Sequence, residues 1–130
     1  MSRVVLDSSA LLFWTLAPHR LAPAARSAID DATAFGWMAS AISLWEIGLT
    51  VQRGQRSLGV SFAEYVQRLD LVDGLTLAPV DVRVWLRTLE LDWLHRDPAD
   101  RVIVATADLH ALPLMTSDTA IARFYPPTVW

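Results

Sequence analysis

"RVVLDSSALLFW", residues 3–14, holds the unit that decides the fold: an aliphatic run, an acid, and a helical stretch. Val4, Val5 and Leu6 follow one another with no polar alternation, which is how a strand buried on both faces reads. Asp7 ends the run, and residues 9–14 continue as a short helix. The strand-then-helix order returns three times. "GWMA" (36–39) precedes the helical "SLWEIGLTVQRG" (43–54), which stops at Gly54. "LTLAPV" (75–80) precedes "VRVWLRTLEL" (82–91), which Asp81 can cap, and "LPLMTS" (112–117) precedes "DTAIARF" (118–124). Between these units lie "PAARSAIDDATA" (23–34), with Pro23 in its first turn, and "SFAEYVQRLD" (61–70), with Ser61 and Glu64 at capping-box spacing. A further helix is expected over residues 98–111.

Strands that alternate with helices predict an α/β fold: one central, mostly parallel sheet of about four to five strands with helices on both faces. Residues 1–130 form one expected domain. In such a fold ligands bind beyond the C-terminal ends of the strands.

Composition narrows the chemistry. With no cysteine there are no disulfides, thiolate nucleophiles or Cys-based zinc sites. All 11 basic residues are arginine, so a Walker A phosphate loop and lysine Schiff-base chemistry are excluded. The net charge of −3 does not fit a basic nucleic-acid coat, so phosphate binding would need a local arginine surface or metal ions. Mean hydropathy is +0.32 and there are six tryptophans, more apolar surface than one small core hides, which points to an oligomer or lasting partner. No apolar run reaches the roughly 18 residues of a membrane span. The N-terminal apolar region is interrupted by Asp7 and preceded by Arg3 alone, unlike a signal peptide, and the expected location is the cytoplasm.

In "HRDPADRVIVATA", residues 95–107, Asp97 and Asp100 bracket a proline just ahead of a nearly apolar helix. Asp7 and Asp118 each follow a strand, Glu46 sits early in the helix after the second strand, and Asp100 lies in the first turn of its helix. Each has a local explanation: Asp7, Asp97 and Asp118 as helix caps, Ser43 with Glu46 as a capping box, Asp100 as a charge near the helix dipole. Capping does not explain why four acids from four segments converge on one sheet edge. Like charges held close repel and raise one another's pKa, and a divalent cation relieves that. Oxygen ligands without Cys or a His–x–His pair favour Mg²⁺, with Mn²⁺ as substitute, and such ions suit phosphodiester hydrolysis.

"VVLDSSALL", "SAISLWEIG", "DPADRVIVATA" and "LPLMTSDTAI" resemble, in order and spacing, the four acidic motifs of PIN-domain nucleases, above all the VapC-type toxins of toxin–antitoxin pairs. The resemblance runs from Val4 to about Phe124. It implies a PIN-like three-layer fold and a metal-binding acidic pocket of Asp7, Glu46, Asp100 and Asp118. Asp7 and Asp100 would be the principal Mg²⁺ ligands; Glu46 and Asp118 would complete the site through water or as general base. Ser9 would orient Asp7, and Asp97 would remain the helix cap. The resemblance further implies an RNA substrate, a homodimer and an antitoxin that blocks the site. Some similar toxins carry a lysine where this chain has Thr50, so Arg53 would have to replace it. Arg96 and Arg101 could reach phosphate, and for Arg101 a salt bridge to a carboxylate is an equal alternative. His19, His95 and His110 read as surface or structural residues, His95 being nearest the site. Trp14, Trp45 and Trp85 read as core or interface. The competing readings are an inactive PIN-fold interaction module, a metal-dependent nuclease acting on DNA, and a phosphatase, for which no Asp-x-Asp nucleophile motif is found.

Overall fold

The computed structural model describes residues 3–130. Five strands, β1 (Val4–Leu6), β2 (Trp37–Ser40), β3 (Leu75–Ala78), β4 (Leu114–Met115) and β5 (Thr128–Val129), form one sheet in the order β3-β2-β1-β4-β5. Every pairing is parallel. The helices are α1 (Ser8–Leu16), α2 (Pro23–Asp31), α3 (Ala41–Gln52), α4 (Phe62–Asp70), α5 (Val82–Glu90), α6 (Pro98–His110) and α7 (Thr119–Phe124). Among the described residues, no helix is long and apolar enough to cross a membrane.

The strand period of two sorts β1 between two cores. Val4 and Leu6 pack with Trp37, Ala39 and Met115 against α1, α2 and α4. Val5 packs with Met38 and Leu114 against α5, α6 and Ile121 of α7. Helices therefore cover both faces, and α3 straddles them, with Ile47 in the first core and Ile42 against the second. This is the three-layer α/β arrangement the alternation predicts, with a sheet that is wholly rather than mostly parallel.

Three local details differ from expectation. The fifth strand, Thr128–Val129, has no forerunner in the sequence pattern, because two residues carry no periodicity. Helix α3 begins at Ala41, where the Ser40 side chain accepts from Ile42 N at 3.2 Å. Ser43 is therefore a buried interior residue rather than half of a capping box with Glu46. At α4 the expected cap is present, Ser61 accepting from Glu64 N, while the Glu64 carboxylate turns to Arg68 at 3.1 Å.

Gly36, just before β2, has φ +97, and a Cβ there would lie 2.7 Å from Gly74 O, in the turn before β3. Trp37 N donates to that same carbonyl at 2.8 Å. Neither backbone can retreat without breaking the β2–β3 register. Gly36→Ala is expected to destabilise the fold by about 1–3 kcal/mol, the cost of a side chain forced into a glycine-only conformation. Urea unfolding would show it as a lower midpoint at unchanged slope.

Candidate active site

Because the sheet is parallel, the C-terminal ends of its strands share one edge, and three helix N-termini meet there. Asp7 leaves β1 and caps α1, its Oδ1 accepting from Ala10 N at 2.8 Å. Asp118 follows β4 and caps α7, its Oδ1 accepting from Ala120 N at 2.8 Å and Ile121 N at 3.3 Å. The β1–β4 register sets Leu6 beside Met115, and Asp7 N donates to Met115 O at 3.1 Å, so the two acids emerge side by side. The buried Thr116 hydroxyl accepts from Asp118 N at 3.1 Å and hydrogen-bonds the Asp7 carboxylate, linking the two strand ends. Asp97 caps α6, its Oδ1 accepting from Ala99 N at 2.9 Å and from Asp100 N at 3.3 Å, which sets Asp100 in the first turn of the helix. Glu46 comes from α3, and Ser8 Oγ donates to its Oε1 at 2.5 Å while lying 2.9 Å from Ser43 Oγ.

All four acids singled out in the sequence line one cleft of about 310 Å³, with Ser8, Ser9 and Ser117 at its walls and Ile103 and Ile121 beneath. Burial pushes the Asp7 carboxyl above its ordinary value, hydrogen bonds from Thr116 and Ala10 oppose this, and the charges of Asp100 and Asp118 add to the rise. Glu46 is raised by burial, against the Ser8 hydrogen bond, with Asp97, Asp100 and Asp7 pushing the same way. Asp100 is raised by burial, against the His95 hydrogen bond, with Asp97 and Asp118 adding to it. Asp7, Glu46 and Asp100 thus each combine burial with repulsion from neighbouring carboxylates, a combination that a cation would relieve.

Several residues sit differently from expectation. Ser9 is exposed at the rim; the serine bonded to an acid is its neighbour Ser8, on Glu46 rather than Asp7. Arg101 neither faces solvent as a phosphate contact nor pairs with a carboxylate. Its guanidinium donates to the carbonyls of Thr88 (2.8 Å), Leu91 (3.1 Å), His95 (3.1 Å) and Trp93. Arg53 and Arg96 are exposed and line an adjoining groove of about 530 Å³ with Trp45, Leu49 and Thr50, which meets the acidic cleft at Glu46. Trp45, read from sequence as core or interface, is 55% exposed there. Trp14 packs on Trp37 at 4.8 Å, as a core residue would.

The residue that sequence reasoning undervalued is His95. Its Nε2 lies 2.7 Å from Asp100 Oδ2, and ligand atoms of His95, Asp100 and Asp118 all fall within 4.8 Å of one another. The one available signal was its place five residues ahead of Asp100. The carboxylate oxygens that line the cleft fit a hard divalent ion.

A fold with a wholly parallel sheet in this order and an acidic cleft at its strand ends is that of the PIN domain, and the family's model matches residues 4–125. The chain belongs to the PIN-domain family. It is 31% identical to Ribonuclease VapC22 of Mycobacterium tuberculosis over the whole length of both chains. Its fold is also that of a toxin–antitoxin complex chain from Klebsiella pneumoniae (TM-score 0.64, 21% identity, 98% and 96% of the two chains covered). A chain of VapBC2 from Rickettsia felis, bound to a DNA fragment from its promoter, is similar as well (TM-score 0.67, 15% identity, 95% and 93% covered).

Carboxyls whose folded pKa is raised stabilise the protein below their unfolded pKa, and that stability is lost as pH rises through the raised values. At neutral pH without metal, Asp7, Glu46 and Asp100 therefore act against folding. Asp7→Asn removes one of these charges yet keeps an oxygen to cap Ala10 N. Its melting temperature in EDTA at pH 7 is expected to equal or exceed that of the wild type, and a drop of several degrees would contradict this.

Proposed function

We propose that the chain is a Mg²⁺-dependent endoribonuclease, with Mn²⁺ able to substitute, and the toxin of a toxin–antitoxin pair. The observation that carries this reading is the convergence of Asp7, Glu46, Asp100 and Asp118, from four separate segments, on one cleft where burial, with neighbouring carboxylates adding to it, raises the pKa of Asp7, Glu46 and Asp100. Identity to a protein named a ribonuclease supports RNA as the substrate.

In this reading Asp7, Asp100 and Asp118 hold the ion. When bound, the ion acidifies an attacking water and offsets phosphate charge. Helix caps on Asp7 and Asp118 keep those carboxylates from turning away from the cleft. Glu46, steadied by Ser8 in the same cleft, would be the base for the attacking water, and its raised pKa suits that task. Arg53 and Arg96 in the adjoining groove receive flanking phosphates, and exposed Trp45 offers a face for a base. Activity should fall on acidification at a pH above the ordinary carboxylate range, because these acids must be ionised to hold the cation.

An antitoxin partner is supported by structural neighbours that are toxin–antitoxin complexes. A homodimer is supported by the outer stripe of α5, where Val82, Trp85, Leu86 and Leu89 recur at helical spacing and Leu89 is 81% exposed. We place the protein in the cytoplasm.

Cellular RNA incubated with purified protein should yield discrete fragments with Mg²⁺ and none with EDTA or with Asp100→Asn. Glu46→Gln should lower kcat by roughly 10²–10⁴-fold, the usual contribution of a general base. Arg53→Ala combined with Arg96→Ala should raise KM and leave kcat nearly unchanged. Intact RNA throughout, from folded protein free of antitoxin, would overturn the nuclease reading. Leu89→Asp should convert a dimer to a monomer in sedimentation, and a wild-type protein that is already monomeric would remove the dimer proposal.

A further inference from the structure

We infer that His95 is a positioning residue for Asp100, holding one carboxylate oxygen so that the other serves the cation. This rests on the metal-dependent reading above and concerns how this chain builds that site.

His95 lies in residues 91–97, a connection with no helix or strand of its own. Two devices give that connection a single shape. First, three rings stack in series: Phe124 on Trp93 at 4.7 Å and 7°, and Trp93 on His95 at 4.4 Å and 10°. The stack sets the plane of the imidazole. Second, Arg101 gathers four carbonyls between Thr88 and His95 from the first turn of α6, the turn that also carries Asp100. The same turn therefore presents the carboxylate and draws in the loop that bears its partner.

An ionised carboxylate has no proton to give, so at 2.7 Å the Nε2–H of His95 must be the donor to Asp100 Oδ2. Both the neutral Nε2–H tautomer and the imidazolium carry this donor. While Nε2 donates to Asp100 it cannot coordinate metal, so in this arrangement His95 supports a ligand through that nitrogen. Partners that orient metal ligands are typically worth 10–100-fold in affinity.

Two substitutions separate the ring from the hydrogen bond. His95→Phe keeps the stack on Trp93 and loses the donor; His95→Gln loses the stack and keeps an N–H. Calorimetric titration with Mg²⁺ should show affinity reduced roughly 10–100-fold in His95→Phe and restored to within a few-fold of wild type in His95→Gln. Pulsed EPR of the wild type loaded with Mn²⁺ should show no directly bound ¹⁴N. Wild-type affinity in His95→Phe, with its melting temperature retained, would overturn the inference. So would equal losses in both variants, and a strong ¹⁴N coupling would instead make His95 a ligand. A wild type that binds no Mg²⁺ would overturn the metal-dependent reading itself.

Discussion

The mutual repulsion of carboxylates at one edge of a parallel sheet is the constraint to which the rest of this structure answers. Asp7, Asp100 and Asp118 are held together by helix N-termini: two of them cap α1 and α7, and the third lies in the first turn of α6. Each such terminus presents unpaired N–H groups and a partial positive charge. Capping and facing the cleft are therefore not competing roles. The Oδ1 atoms of Asp7 and Asp118 serve the helices, and each carboxylate keeps a second oxygen. Remaining repulsion is met by single hydrogen bonds, from Thr116 to Asp7, Ser8 to Glu46 and His95 to Asp100.

Most of the architecture could be read from the chain alone because its signals are local. Aliphatic triplets followed by an acid mark β1 and the turn into α1, and Asp97–Pro98 marks the start of α6 within a residue. The acids' shared address follows from the parallel sheet, not from any one motif. What escaped reading depends on contacts distant in sequence or on very short elements. β5 is two residues long. The true cap of α3 is Ser40 and not Ser43, because β2 passes into the helix without a loop, and no composition change marks the join.

His95, Arg101 and Trp45 share a different reason for being misjudged. A histidine or arginine in an aperiodic connection has no predicted direction, and only the folded loop shows where each points. Arg101 flanks an acid in sequence yet turns to carbonyls of the preceding connection, where its fork of donors matches several acceptors at once. Trp45 has helical spacing among aliphatics, but it faces the groove beside the acidic cleft and not a core. The chain keeps the PIN-domain fold while sharing 15–21% identity with the solved structures named above. What persists at that distance is the overall fold. The loop that carries His95 is the feature a fold comparison leaves undescribed.

The acids that line the cleft stand at positions 7, 46, 100 and 118. A polypeptide still emerging from the ribosome, or cut short before Asp118, has no assembled cleft. Pairing of β1 with β4 also closes a loop of over a hundred residues, the kind of late, non-local contact that slows folding. Whatever chemistry the cleft performs thus waits until Asp118 has been made and β4 has paired with β1, an interval built into the order of the chain itself.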